Sequence, residues 1–191
     1  MPDLDSLRAV VKTRVSPKRA LHILCVEREA DALAWRWNAD RKAARIAALL
    51  HDVTKGLSEA EQLKLYAKYD ILAKPWETGK LRHAATGAAI ALHEFGASEE
   101  VAQAVRWHTT GRAGMSLLEK IVFLADYVDS TRRFDGVCLL RTFCYQDLDK
   151  ALLLGLTFSI RHLMDAGRTI CPDTLDAYNC YRNALDIRPT E

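Results

Sequence analysis

The chain has 191 residues and a mass of 21.5 kDa, between one and two ordinary domain lengths, and can bury roughly 70% of its unfolded surface around one core. With 49% apolar and 27% charged residues, the composition excludes a disordered, collagenous or fibrous protein. A formal net charge of +2 excludes a chain that coats nucleic acid, where binding rests on phosphate neutralisation by many Lys and Arg, and leaves room for a local basic pocket.

Alternating β-branched runs bounded by turn residues are nearly absent, whereas apolar residues at helical spacing recur throughout, so the expected fold is all-α. In chain order the pattern predicts helices at about 4 to 14, 17 to 38, 41 to 55, 59 to 69, 80 to 95, 98 to 109, 116 to 129, 146 to 166 and 173 to 186. Starts are signalled by Ser16 before Pro17, Asp40, Ser58, Ser98 and Ser116, and stops by Gly56, Gly96, Gly111 and Gly167. No repeat or low-complexity linker divides these elements, which predicts one domain over residues 1–191. The longest apolar run, Ile121 to Val128, is interrupted by Asp126 and is too short to span a bilayer. The N-terminus lacks a basic segment followed by an apolar one, so no secretion signal is visible. Five cysteines, Cys25, Cys138, Cys144, Cys171 and Cys180, form no C-x-x-C pair, which argues against a disulfide framework or structural zinc and points to a reducing cytoplasm.

Two helices carry apolar residues around their whole circumference and so belong in the core. One, Ala43 to Leu50, leads directly into His51-Asp52; the other, Leu117 to Val128, carries Asp126. Both deliver ionisable groups to the interior, where an unpaired carboxylate costs several kcal/mol unless a cation or a metal ion compensates it. Adjacent residues on a helix point about 100° apart, so His51 and Asp52 share one ion only if it sits off the helix end. His22, in an amphipathic helix one turn after Arg19, and the buried Asp126 complete a nitrogen-and-oxygen set from three helices, which suits iron, manganese or another divalent ion better than a thiolate site would. Taken singly, each histidine reads more often as a hydrogen-bonded core residue. His93 and His162 stay on that side, Asp126 alone reads as a salt-bridge partner of Arg45 or Arg106, and Trp35, Trp37, Trp76 and Trp107 read as core more often than as base-stacking groups.

The ordered set Ala-Leu-His22, His51-Asp52-Val-Thr-Lys55-Gly, Leu-Arg-His83-Ala-Ala-Thr-Gly, Arg-Trp-His108-Thr-Thr-Gly-Arg112, Leu118-Glu-Lys-Ile-Val-Phe-Leu-Ala-Asp126-Tyr and Cys171-Pro-Asp-Thr-Leu-Asp-Ala-Tyr-Asn179 spans nearly the whole chain. It resembles the HD-domain metal-dependent phosphohydrolases, and within them the YqeK family of bacterial symmetrical bis(5′-nucleosyl)-tetraphosphatases. The departures are Ser130 and Asp135 where the family has proline, and Asp129 where Glu is usual. The resemblance implies a single-domain HD helical bundle. It also implies that His22, His51, Asp52 and Asp126 hold an iron-type ion, with Asp52 bridging to a second and His83 and His108 serving as its ligands or as phosphate donors. Asp52 and Lys55 would be the catalytic pair. Arg19, Lys55, Thr109, Arg112 and Arg132 would meet phosphates, and Ile170, Pro172, Asp173, Thr174 and Leu175 a base. Iron is the implied cofactor, as one or two ions, with manganese or another divalent metal as the substitute. The implied reaction is hydrolysis of diadenosine tetraphosphate to two ADP. Two other readings stand beside it: a phosphohydrolase of mononucleotides or cyclic nucleotides, and a non-catalytic nucleotide-binding sensor. The expected partner is a small-molecule nucleotide, with no nucleic acid and no membrane, and with a homodimer left open.

Overall fold

The computed structural model describes residues 3–186, and among them every regular element is an α-helix. The ten helices are α1 (Leu4–Arg14), α2 (Pro17–Arg36), α3 (Arg41–Leu50), α4 (Glu59–Lys68), α5 (Gly79–His93), α6 (Glu99–Trp107), α7 (Leu117–Val128), α8 (Val137–Gln146), α9 (Leu148–Asp165) and α10 (Pro172–Asp186).

The local chemistry of the starts is as the sequence predicts. The side chains of Ser16, Asp40, Ser58, Ser98 and Ser116 each accept the backbone N–H three residues on, and Ser58–Glu61 and Ser116–Glu119 form reciprocal capping boxes. Two elements differ from expectation. The helix predicted to reach residue 55 ends at Leu50, and residues 51–57 continue as successive turns, because the buried hydroxyl of Thr54 and carbonyl of Thr54 are bonded sideways to α5 and α4 instead of along a helix axis. The sequence pattern also misses α8. This helix starts after Gly136, at φ 91°, with no side-chain cap, and Asp147 separates it from α9 by serving as C-cap of one and N-cap of the other.

Helices α3 and α7 form the centre, as their circumferential apolar pattern requires. Ala44, Ile46 to Leu50, Ile121 to Ala125 and Val128 are all fully buried. Around them pack α2, α6, α1 and α5 on the α3 side, and α2, α6, α8 and α9 on the α7 side. At Gly155 α9 packs directly on α7, where a Cβ would stand 3.4 Å from the Phe123 ring, an ordinary contact distance. Trp35 does not follow the core reading: it is 72% exposed on the outer face of the last turn of α2. Trp37 does reach inward, donating its indole N–H to the Cys144 carbonyl at 2.8 Å. No helix among the described residues is long and apolar enough to cross a membrane. All five cysteines are free thiols.

Candidate active site

The C-terminal ends of three helices point into one buried spot. His51 caps α3, His108 caps α6, and Asp126 and Asp129 lie at the end of α7. Helix C-termini carry partial negative charge, so this convergence favours a cation before any side chain is counted. His22 enters from the second turn of α2 and His83 from the second turn of α5.

Asp52 is the hub. Its Oδ2 lies 2.7 Å from an Arg19 guanidinium nitrogen, 3.5 Å from His51 Nε2 and 3.8 Å from His22 Nε2. Its Oδ1 lies 3.1 Å from Lys55 Nζ, 3.2 Å from His83 Nε2 and 3.5 Å from His108 Nε2. Asp126 Oδ1 stands 3.1 Å from His22 Nε2 and 3.9 Å from His51 Nε2. The expected mates of Asp126, Arg45 and Arg106, are committed elsewhere, to Glu27 and Glu77. The cation beside Asp126 is instead Arg132, which bonds its carboxylate and its carbonyl and also faces Asp129 at 3.2 Å. Neighbouring Arg133 bonds only the carbonyls of Ser130 and Arg132 in its own loop.

The imidazoles are oriented from behind. His51, His83 and His108 each turn Nδ1 onto the backbone carbonyl three residues earlier, Ala48, Lys80 and Val105, at 2.6, 2.7 and 2.7 Å. A carbonyl only accepts, so Nδ1 carries the proton and Nε2 presents a lone pair to the cluster. His22 is also held from behind, with Nδ1 3.3 Å from Asp129 Oδ2, and Asp129 is itself steadied by the N–H and hydroxyl of Thr131. Asp129 is a part of the site that the motif reading did not assign. The signal it offered was only its place one helical turn after Asp126.

The charges bear this out. Burial works against ionising Asp52, yet the surrounding imidazoles hold its carboxyl well below the usual range. Burial likewise opposes Asp126, and His22 and Arg132 bring it down. Burial pushes the His108 imidazole down to about 4 and also lowers His83, so both are neutral near pH 7. His22 differs: burial is outweighed by the neighbouring carboxylates of Asp126 and Asp129, which raise it to about 9, so its Nε2 carries a proton near pH 7 that a bound cation would displace.

A second network supports the turn that carries Asp52 and Lys55. Thr54 donates to the His83 carbonyl, Thr86 to the Gln62 side-chain oxygen, and the Gln62 amide to the Thr54 carbonyl, all within 3.0 Å and all buried. Gln62 was not visible as a site residue because it acts through a backbone carbonyl 8 residues before it and a side-chain hydroxyl 24 residues after it.

The family model described as the HD domain matches residues 19–131. The symmetrical bis(5′-nucleosyl)-tetraphosphatase of Bacillus subtilis is 36% identical over 90% of this chain and 93% of its own length, and that of Halalkalibacterium halodurans is 39% identical over 89% and 92%. This chain belongs to the HD-domain family. A crystal structure from Clostridium acetobutylicum, described as a predicted HD superfamily hydrolase involved in NAD metabolism, superposes with a TM-score of 0.92 at 33% identity, covering 96% of this chain and 99% of that one. The all-α HD architecture implied by the motifs therefore holds, and this HD-domain hydrolase carries the His and Asp side chains of a divalent-metal site.

Those side chains fit an ion on their own chemistry. His22 Nε2, His51 Nε2, Asp52 Oδ1 and Asp129 Oδ2 are buried without a hydrogen-bond partner, a condition that costs on the order of 1–3 kcal/mol per atom or more unless a cation takes them up. Ligand atoms of His22, His51 and Asp52 lie within 4.8 Å of one another, and so do those of Asp52, His83 and His108, with Asp52 common to both.

One cleft opens on this HD-domain centre and a second lies beside it, at Thr109 next in sequence to His108. One, of about 440 Å³, runs past Ser16, Lys18, Arg19, His22, Thr131 and Arg132. The other, of about 650 Å³, lies between Trp76, Leu81, Thr109, Leu163, Cys171 and Thr174, and Thr109 Oγ1 is buried there without a partner. Of the residues assigned to phosphate or base, Arg19, Lys55 and Arg132 gather at Asp52 and Asp126, and Thr109 and Thr174 line the larger cleft. Arg112 does not join them, because its guanidinium is bonded to buried Glu119 at the opposite end of α7 from Asp126. Asp173 binds Lys74 and the Trp76 indole N–H, fixing α10 to the 74–76 segment. Pro172 opens α10, Ile170 is half-buried, and Leu175 is exposed.

Proposed function

We propose that this chain cleaves a dinucleoside tetraphosphate, diadenosine tetraphosphate foremost, at the middle of its phosphate bridge, and does so in a reducing cytoplasm, where its five cysteines stay free. The observation that carries the reading is the convergence of lone-pair imidazole nitrogens and unpartnered carboxylate oxygens on Asp52, ringed by Arg19, Lys55 and Arg132. The named activity of the relatives supports it.

In this reading His22, His51, Asp52 and Asp126 hold one divalent ion, iron or manganese by the nitrogen-and-oxygen character of the donors. His83, His108 and the other oxygen of Asp52 hold a second. The alternative role for His83 and His108, hydrogen-bond donation to phosphate, is disfavoured by their protons. Each spends its Nδ1 proton on a carbonyl, each is kept neutral by burial, and their Nε2 atoms face each other at 3.1 Å. Two lone pairs that close call for a shared cation. Such ions supply, when bound, Lewis acidity towards phosphoryl oxygens and a water acidic enough to ionise near neutral pH.

The chain's own part is positioning and charge. Lys55 and Arg19, each about a third exposed while Asp52 is fully buried, reach outward from the ligand carboxylate to the phosphates. Arg132 reaches from Asp126 into the same cleft as Arg19. These two guanidinium groups offset the negative charge that spreads over phosphoryl oxygens as the bridge breaks. A nucleoside in the cleft beside Thr109 sets the register: with two phosphates between it and the cluster, the second phosphorus is the one attacked. The sensor reading is disfavoured because a silent nucleotide site has no use for buried donors left open beside solvent-facing cations.

The test is a product chromatogram at early time points with diadenosine tetraphosphate, run in ¹⁸O water. ADP is expected as the sole nucleotide, with solvent oxygen on its terminal phosphate. Equimolar AMP and ATP overturn the register. Elemental analysis of anaerobically purified protein is expected to find iron or manganese.

A further inference from the structure

We infer that the second nucleoside of the substrate, the half not seated beside Thr109, lies in a separate cavity walled by Tyr127, Phe134 and Phe158 and rimmed by Arg161. The inference rests on the dinucleoside reading and extends it. A bridge cut at its midpoint has two equivalent halves, so a site that seats only one leaves the other to water.

The cavity has a volume of about 500 Å³, within the usual range of small-molecule pockets. Asp126 and Arg132 form its inner end, so it shares with the metal cluster both a ligand carboxylate and the arginine beside it. Helix α9 divides it from the cleft beside Thr109. Ser159 and Leu163 face Thr109, while Phe158, Arg161 and His162 face this cavity. The two cavities therefore lie on different sides of one helix, as the two halves of a symmetric bridge need.

Its lining suits a base. Phe134 stands edge-on to Tyr127 at 6.0 Å and 87°, and to Phe158 at 5.6 Å and 76°. All three rings are only half-buried, so they retain surface for an offset-stacked aromatic ligand. The wall is preformed. Gly136, at φ 91°, brings the 129–136 loop so close to Phe158 that a Cβ there would stand 2.6 Å from the ring. Arg161 adds a guanidinium at the rim that can stack on a base. Asp135 and Asp165 add carboxylates that accept from a ribose hydroxyl or an exocyclic amine.

The test compares diadenosine tetraphosphate with adenosine 5′-tetraphosphate, which has the same four phosphates and one nucleoside. Phe134→Ala and Arg161→Glu are each expected to raise KM for the dinucleotide by roughly tenfold, the scale of one lost base–aromatic contact, and to leave KM for the mononucleotide unchanged. If the mononucleotide binds without being cleaved, its inhibition constant takes the place of KM. Arg161 is exposed, so its variant decides the matter if Phe134→Ala fails to fold. Equal changes on both substrates, or no change on either, overturn the second site while leaving symmetric hydrolysis standing. Failure of the wild-type protein to cleave the dinucleotide overturns the parent reading instead.

Discussion

Asp52 touches Arg19, Lys55 and four imidazoles while being wholly buried, and no other carboxylate in the cluster is so placed. Asp52→Ala is expected to abolish turnover and metal retention, while His93→Ala, whose ring only stacks on Tyr69 at the surface, keeps both. Equal losses in two folded variants would show the wrong histidines were chosen. Asp129→Asn probes the support behind His22. The amide presents either a donor or a weaker acceptor to His22 Nδ1 and loosens the hold on its tautomer, so metal affinity should fall about 10–100-fold with the circular dichroism spectrum unchanged. An unchanged metal titration would reduce Asp129 to loop scaffolding. At this scale the ligands were legible because His-Asp adjacency and a carboxylate inside an apolar helix are costly patterns that need a cause. The partners were not. Arg132 rather than Arg45 or Arg106 meets Asp126, and that choice depends on how the loop after α7 folds back over its own end.

Among the helices, the starts were readable from Ser and Asp caps because capping is a local hydrogen bond written within four residues. Helix α8 was not, since Gly136 offers no side-chain cap and its Val-Cys-Leu-Leu-Arg-Thr-Phe-Cys-Tyr run is poor in strong helix formers. Its helical state comes from packing on α9 and α7. The shortened α3 has the same origin: the Thr54–Gln62–Thr86 network competes with helical bonds after Leu50 and holds the turn against α4 and α5. Gln62→Ala leaves the Thr54 carbonyl and the Thr86 hydroxyl without this partner inside the protein, a cost of about 1–3 kcal/mol. Urea denaturation should show that loss at unchanged m-value. KM should rise with it, because Lys55 rides on the same turn. A loss of stability with KM intact would separate the network from the site.

For the molecule as a whole, the all-α character and the single core were legible in apolar spacing, because burial of α3 and α7 demands apolar residues on every side. The closing contacts between distant surface charges were not, since spacing says nothing about which helices come to rest side by side. Glu94 is one such contact. It accepts from the Tyr69 hydroxyl at 2.6 Å, from Arg14 at 3.0 Å and from Lys68 at 3.2 Å, and so ties α1 and α4 to the end of α5. The Tyr69 hydrogen bond first, then the bonds from Arg14 and Lys68, outweigh partial burial and hold the Glu94 carboxyl below its ordinary 4.5. A carboxyl depressed on folding binds its proton more tightly in the unfolded chain. Its contribution is therefore fully present above pH 4.5 and is lost as the pH falls through the lower folded value. Because the group is largely exposed and screened, that contribution is on the order of 0.5–1 kcal/mol. Glu94→Gln is expected to lower the melting temperature at pH 7 by a few degrees and to leave it nearly unchanged at pH 3, so that the two proteins' stability curves converge as acid is added. Parallel curves down to pH 3 would show that the clasp acts through its hydrogen bonds alone and not through its charge.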